Sequence, residues 1–436
     1  MDVGKLRRNY ILKRADIFIY VANQTEYVAI KEFLHSKGIK LDKYIIEEQT
    51  RLNFFKFDKY HIVAMVGNKT GPREASNKIN EICPKFANLS YIVNIGCCAT
   101  RKDKVQNDVI FATRIFDADL RKEKETTQFQ IGENKNEKMT NIINENISKL
   151  NDDSYTIISG PLISSSALIS NKEIKNKFLD VYPYADGIEM EGLAISDYAI
   201  KKGIDWVVIK GTSDNAIDKD GSINQSEATM RSCKVFFELL SLNALATKRM
   251  NVFISGSLIE KSNVKEEKQI MELGNRLLEK KMKIINGLGY GVGPSLVASV
   301  YNYMKKQGSN PFNHYIDLYP FPRVEERTDT INELYHQNRN KMIEQSAIAI
   351  YIFGDTNKGG IEEEFKIAGS HFIPRIAIPI KGYKSEELFE RMKANEYDTI
   401  DDKKYIDLYN SLNVTNFSNQ LTILLELIQL IDDFLF

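Results

Sequence analysis

Three places along the chain carry carboxylates where acid–base chemistry would need them. Glu26 follows an apolar run, the triplet Glu189-Met190-Glu191 precedes a helical stretch, and Asp214 closes the string Val207-Val208-Ile209-Lys210-Gly211-Thr212-Ser213-Asp214. Each stands where a predicted strand gives way to a loop or helix, and in α/β sheets the strand C-termini face one crevice. If 187–191 is extended, Glu189 and Glu191 point to the same face. Carboxyl groups gathered in one cleft can divide the work, one protonating a leaving group while another takes a proton from water. Taken singly, each also reads as a solvated loop charge or a helix cap, with Asp214 capping the next segment and Glu26 at the positive end of a helix dipole.

Other chemistries find less support. Four cysteines and five scattered histidines form neither a CxxC pair nor an HExxH helix, so no metal, cofactor or disulfide framework is expected. Cys97 and Cys98 read as packing residues, because no histidine is placed to form a thiolate. In the second half, Ser255-Gly256-Ser257 ends a strand, and Gly287-Leu288-Gly289-Tyr290-Gly291-Val292-Gly293 joins a strand to a helix. Backbone amides in such a loop suit a phosphate at a helix N-terminus, although Val292 stands where a dinucleotide fingerprint has its third glycine. Phe353-Gly354-Asp355-Thr356-Asn357-Lys358-Gly359-Gly360 leads into a further helix, and such turns can also simply reverse the chain.

The elements that must hold these residues are read from hydrophobic periodicity. Short β-branched runs at 17–21, 61–66, 91–95, 108–112, 155–159 and 206–209 alternate with amphipathic stretches at 26–35, 74–82, 172–178, 192–202 and 227–245. That is the pattern of an α/β sheet under covering helices. The polar stretch 121–138 reads as a surface excursion. A basic pair, Lys248-Arg249, closes the last helix, and a new strand opens at once, so the expected domains are 1–248 and 249–436. The second repeats the alternation, with strands at 251–254, 283–285, 347–353 and 375–380, and reads as a doubly wound sheet with a charged helical tail from Lys384. The 59 basic and 59 acidic side chains of the whole 436-residue chain cancel, so there is no overall positive field to hold nucleic acid or an anionic membrane. The apolar run at 15–22 is too short for a signal peptide, and 421–436 contains Glu426, Asp432 and Asp433, so a cytoplasmic protein is expected.

Ile92-Val93-Asn94-Ile95-Gly96-Cys97-Cys98-Ala99, Gly160-Pro161-Leu162-Ile163-Ser164-Ser165-Ser166, Glu189-Met190-Glu191 and the Ser213-Asp214 string occur in an order that resembles the nucleoside phosphorylase and nucleosidase superfamily over about residues 15–245. The resemblance implies an N-ribosyl hydrolase fold in which Asp214, oriented by Ser213, protonates a purine. Glu191 would hold the ribose hydroxyls and Met190 pack on the sugar, with Glu189, Cys97 and Ser166 at the substrate. It further implies that Glu26, in Ala22-Asn23-Gln24-Thr25-Glu26, activates water. Phosphorylases of the family carry an arginine in the first loop and another before the Gly-x-small turn. Here Gln24 or Thr25 and Asn94 stand in those places, which implies water rather than phosphate as the nucleophile. Cys97-Cys98-Ala99 replaces the family's Ser-Ala-Gly turn.

Residues 250–383 are similar to the SLOG superfamily of nucleotide sensors, nearest to the sensor domains of anti-phage effectors such as Thoeris. That resemblance implies a Rossmann-like domain binding a cyclic ADP-ribose-type signal through Arg339, Lys358 and Glu364, with Gly256, Ser257 and Gly289 lining the cleft. Together the resemblances imply a homo-oligomeric effector whose signal releases hydrolysis of a purine nucleoside or nucleotide, with ATP and NAD as candidates. The alternatives are a housekeeping methylthioadenosine/S-adenosylhomocysteine nucleosidase and a non-catalytic nucleotide-binding protein.

Overall fold

The computed structural model describes residues 13–45, 51–87, 89–103, 105–119, 121–122, 128–129, 132–150, 152–217, 224–242, 244–259, 264–307, 312–321, 328–357, 360–395 and 402–435. The chain forms two compact units, Arg14–Thr247 and a second running from Lys248.

The first unit is built on strands β1 (Ile17–Val21), β2 (Arg51–Phe57), β3 (Tyr60–Val66), β4 (Tyr91–Thr100), β5 (Asp108–Asp117), β6 (Thr156–Ser164), β7 (Gly187–Glu189) and β8 (Asp205–Asp214). Helices α1 (Gln24–Ser36), α2 (Pro72–Ile82), α3 (Glu137–Leu150), α4 (Lys172–Val181), α5 (Gly192–Lys202) and α6 (Gln225–Ser241) lie between and after them. Along the sheet the order is β5-β6-β7-β4-β1-β3-β2, with Gly132–Lys135 and Asp42–Ile45 at the two edges. β8 pairs with β4 in parallel and with β5 antiparallel, which closes β5, β6, β7, β4 and β8 into a ring. Every residue of β1 is buried, the mark of a strand covered on both faces. Phe33 of α1 stacks on Phe237 of α6 at 5.2 Å. Burial of such side chains contributes roughly 1.5–3 kcal/mol each.

Two expectations change here. The strands expected at 91–95 and 155–159 run on through the small-residue segments 96–99 and 160–164, because β4 continues to pair with β8 through Gly96–Cys98 and β6 pairs with β5 through Ser164. The polar stretch read as a surface excursion includes the edge strand Gly132–Lys135 and the start of α3, whose Met139 and Ile143 are buried.

The second unit holds a five-stranded parallel sheet of β9 (Asn251–Ser255), β10 (Lys283–Asn286), β11 (Ile316–Leu318), β12 (Ile348–Tyr351) and β13 (Arg375–Ala377), ordered β11-β10-β9-β12-β13. Helices α7 (Val264–Glu279), α8 (Val292–Gln307), α9 (Asp329–Ile343), α10 (Gly360–Ser370), α11 (Lys384–Asn395), α12 (Lys403–Asn410) and α13 (Phe417–Leu435) connect and follow the strands. The order reverses between β9 and β12, so the loops after those strands diverge and open a crevice. Among the described residues no helix is long and apolar enough to cross a membrane.

Candidate active site and nucleotide cleft

Glu26 sits in the first turn of α1, where Asn23 caps the helix by accepting from the Glu26 amide at 3.1 Å. Its side chain is 2% exposed and turns back toward the sheet, accepting from the amides of Ala22 at 3.2 Å and Cys97 at 2.9 Å. Gly96 permits this approach: a Cβ there would lie 2.3 Å from Glu26 Oε1. One residue on, the carbonyl of Cys98 accepts from Ser213 Oγ at 3.3 Å, and Ser213 Oγ is also 2.9 Å from Asp214 Oδ2. The β4–β8 register shifts between Thr212 and Asp214, a bulge of the kind that re-aims side chains at a strand end. Asp214 Oδ1 accepts from the amide of Ala216, a residue with φ of 65°. Consecutive residues of β4 thus hold Glu26 and the Ser213-Asp214 pair.

The two remaining carboxylates meet a residue that the sequence reading passed over. Lys210, fully buried in β8, places Nζ 3.5 Å from Glu189 and 3.4 Å from Glu191. Burial pushes its amine down, but Glu191, Glu189 and Glu26 more than offset this and hold the ammonium above its ordinary range. Burial pushes the Glu191 carboxyl up to about 7, with Lys210 opposing and Glu189 and Glu26 reinforcing. The signal for Lys210 was present, since one charge in an apolar strand must find partners when buried. Glu191 Oε1 also accepts from the amide of Gly71 at 2.8 Å, which satisfies the start of α2 from a distance of 120 residues.

Glu189 differs from its neighbour. The strand ends with it, and its carboxylate accepts from the amides of Glu191 and Gly192 at 2.8–2.9 Å, capping α5. Met190 is half-buried between the two glutamates. Cys97 is partly exposed, and burial pushes its thiol up to about 12. Ser166 is exposed beyond β6, its amide donating to Asp119 at 3.0 Å. The structure thus joins Glu26, Cys97, Ser213 and Asp214 through one strand, and Glu189 and Glu191 through Lys210.

In the second unit, a cleft of about 880 Å³ opens at the C-terminal ends of β9, β10 and β12. Gly256, Ser257 and Gly289 line it together with Arg339 and Glu364. The loops approach backbone to backbone: a Cβ on Gly289 would lie 2.2 Å from the Gly256 carbonyl, and one on Gly256 2.0 Å from that of Ile352. Arg339 lies over the Phe321 ring at 5.0 Å and is paired with Glu363 at 2.8 Å and Glu364 at 3.4 Å. Glu364 accepts from Ser255 Oγ at 2.5 Å, and burial raises its carboxyl above the usual range. Phe321 and Glu363 are cleft residues that the sequence did not single out. Lys358 lies outside the described residues.

Known proteins match both units. Residues 238–433 match the Sir2- and TIR-associating SLOG family, and residues 16–245 match the phosphorylase superfamily. An NAD(+) hydrolase ThsA from Cytobacillus dafuensis is 28% identical over 171 residues, 36% of this chain and 34% of the relative. Its counterpart from Enterococcus faecium is 29% identical over 167 residues, covering 35% and 33%. The chain therefore spans about a third of the length of these curated relatives. Among solved structures, a Helicobacter pylori MTAN variant with 5′-methylthioadenosine in the active site is 18% identical, with a TM-score of 0.45, covering 52% of this chain and 99% of that one. The futalosine hydrolase of the same organism is 16% identical with a TM-score of 0.43, covering 53% and 99%. With over half its length matched by the phosphorylase superfamily model, this chain belongs to that superfamily, and its residues 238–433 are similar to the Sir2- and TIR-associating SLOG family.

Proposed function

We propose that residues 1–248 form an N-ribosyl hydrolase acting on a purine nucleoside or nucleotide, and that residues 249–436 sense an ADP-ribose-derived signal that switches it on in anti-phage defence. The observation that carries the reading is the suspension of Glu26 and of the Ser213-Asp214 pair from neighbouring backbone groups of Cys97 and Cys98. In this reading Glu26 takes a proton from water and Asp214 gives one to the departing base. Glu191 holds the ribose hydroxyls and lends negative charge to the sugar as it becomes cationic. Gln24 or Thr25 and Asn94 stand where a phosphorylase would need arginines, which favours water as the nucleophile. NAD enters as a candidate substrate because the curated relatives are NAD(+) hydrolases. The cleft around Arg339 is large enough for a nucleotide and offers phosphate-binding chemistry.

The test is chromatography of free bases released from adenosine, ATP and NAD by the full chain, with and without cyclic ADP-ribose. Base release that rises with the signal is expected, with Asp214→Asn slower by roughly a hundred- to ten-thousand-fold. Full activity without any signal would identify a constitutive nucleosidase instead. Absence of base release from all three substrates would overturn the hydrolytic reading.

A further inference from the structure

A second buried lysine lies next to the proposed acid and is unused by the proposed mechanism. Lys175 of α4 is 2% exposed, and its Nζ donates to the main-chain oxygen of Asn215 at 2.9 Å. That carbonyl belongs to the turn carrying Asp214, which is tied down at two further points. The Asn215 side chain donates to the Asp103 carbonyl at 2.8 Å, and Ala216, at a φ of 65°, donates to Asp214 Oδ1 at 2.7 Å. We propose that Lys175 is a positioning residue for Asp214 and that its charge selects against a cationic leaving base, a role that rests on the hydrolytic reading.

Pinning a turn needs only a neutral donor. Burying an ammonium where an amide would serve costs free energy that the pin alone does not explain. Burial indeed depresses the Lys175 amine, while the carboxylates of Asp103 and Asp214 oppose the effect and Arg101 and Lys172 add to it. Lys175 is thus attracted by Asp103 and Asp214 and repelled by Arg101 and Lys172, with its ammonium held beside the turn that carries Asp214. When Asp214 carries the proton it is to deliver, Asp103 is the carboxylate left to oppose the Lys175 charge.

The two glycosidic bonds of NAD respond differently to that field. At the adenine end, water oxygen bonds to C1′ and the C1′–N9 pair passes to the base. Asp214 supplies a proton to the purine as Glu26 removes one from water. The base begins neutral and gains electron density, so a nearby cation stabilises its departure. At the nicotinamide end the ring starts as a cation, the C1′–N1 pair neutralises it, and no proton is required. In the transition state that ring still carries positive charge, and Lys175 repels it relative to free enzyme and substrate. NAD thus offers both leaving groups within one molecule, and the site is expected to release adenine.

The experiment tracks adenine and nicotinamide from NAD with the full chain and cyclic ADP-ribose, comparing wild type with Lys175→Gln, Lys175→Met and Lys175→Arg. A parallel arm measures affinity for adenine and for N1-methylnicotinamide, which needs no turnover. Wild type should release adenine in excess. Lys175→Gln keeps a donor for Asn215 but loses the charge, and should shift the adenine-to-nicotinamide ratio by roughly tenfold toward nicotinamide and tighten N1-methylnicotinamide to a similar degree. Lys175→Met, which loses the pin as well, should lower adenine kcat further, and Lys175→Arg should restore the wild-type ratio. An unchanged ratio in Lys175→Gln, or nicotinamide as the main product of wild type, would overturn the proposal while leaving hydrolysis intact. If no base is released at all, the hydrolytic reading falls and takes the leaving-group role with it; equal N1-methylnicotinamide binding by wild type and Lys175→Gln, with hydrolysis intact, overturns the charge selection alone.

Discussion

At the scale of single residues, Lys210 governs the buried half of the candidate active site. It is the cation shared by Glu189 and Glu191, and its own full burial leaves no water to replace it. Lys210→Met is expected to destabilise the fold by about 3–5 kcal/mol, the usual cost of leaving a buried carboxylate unpaired, and denaturant titration measures it. Glu191 makes stability depend on pH. Its carboxyl is held at about 7 in the folded chain against an ordinary 4.5, so the folded state keeps a proton that the unfolded state releases between those values. That contribution is complete below 4.5 and is lost as pH rises through about 7. The unfolding midpoint should therefore decline from pH 5 to pH 8, and Glu191→Gln should flatten the slope; an identical slope in the variant would locate the proton elsewhere.

Elements decide which of these residues meet, and here the sequence was informative in part. The order of strand-end acids points to Glu26, Glu191 and Asp214 as candidates, because each follows or precedes a recognisable apolar run. The elements that hold them were harder to read, since Gly96-Cys97-Cys98 and Gly211-Thr212 have the composition of turns while forming paired strand. Their small size answers a packing demand: a Cβ on Gly211 would lie 2.0 Å from the Ala228 carbonyl of α6, as one on Gly96 would strike Glu26. Lys210 and Lys175 were not singled out because their partners lie across the fold, on segments that periodicity alone does not bring together. Gly96→Ala tests the packing argument. The methyl group should push the Glu26 carboxylate off the Cys97 amide and slow base release by roughly a hundredfold, since ångström-scale misplacement of a reacting group has that effect. Because the displaced atoms end a side chain, the melting temperature should move far less than the rate. Comparable activity in the variant would show that Glu26 need not occupy this position.

On the scale of the whole molecule, zero net charge confines any phosphate recognition to local sites, and in the proposed sensing cleft around Arg339 the cation already has partners. Arg339 is already neutralised by Glu363 and Glu364, so an entering phosphate must compete with carboxylates of the same chain. Glu364 is further held by Ser255 and Glu363 by His336 at 3.1 Å, but Glu363 is the more exposed of the two and the easier to displace. A signal can switch a reaction at another site only by binding the active state more tightly than the inactive one, and the coupling acts equally in both directions. Weakening the internal competitor should therefore strengthen the signal at both of its readouts. Glu363→Gln is expected to tighten cyclic ADP-ribose binding by several-fold in calorimetry and to lower by the same factor the concentration giving half-maximal base release. Arg339→Ala should weaken both by roughly tenfold or more, as loss of a charge-assisted phosphate contact does. A Glu363→Gln variant that binds more tightly yet is activated no more readily would separate the cleft from the switch, placing control of hydrolysis elsewhere in the chain.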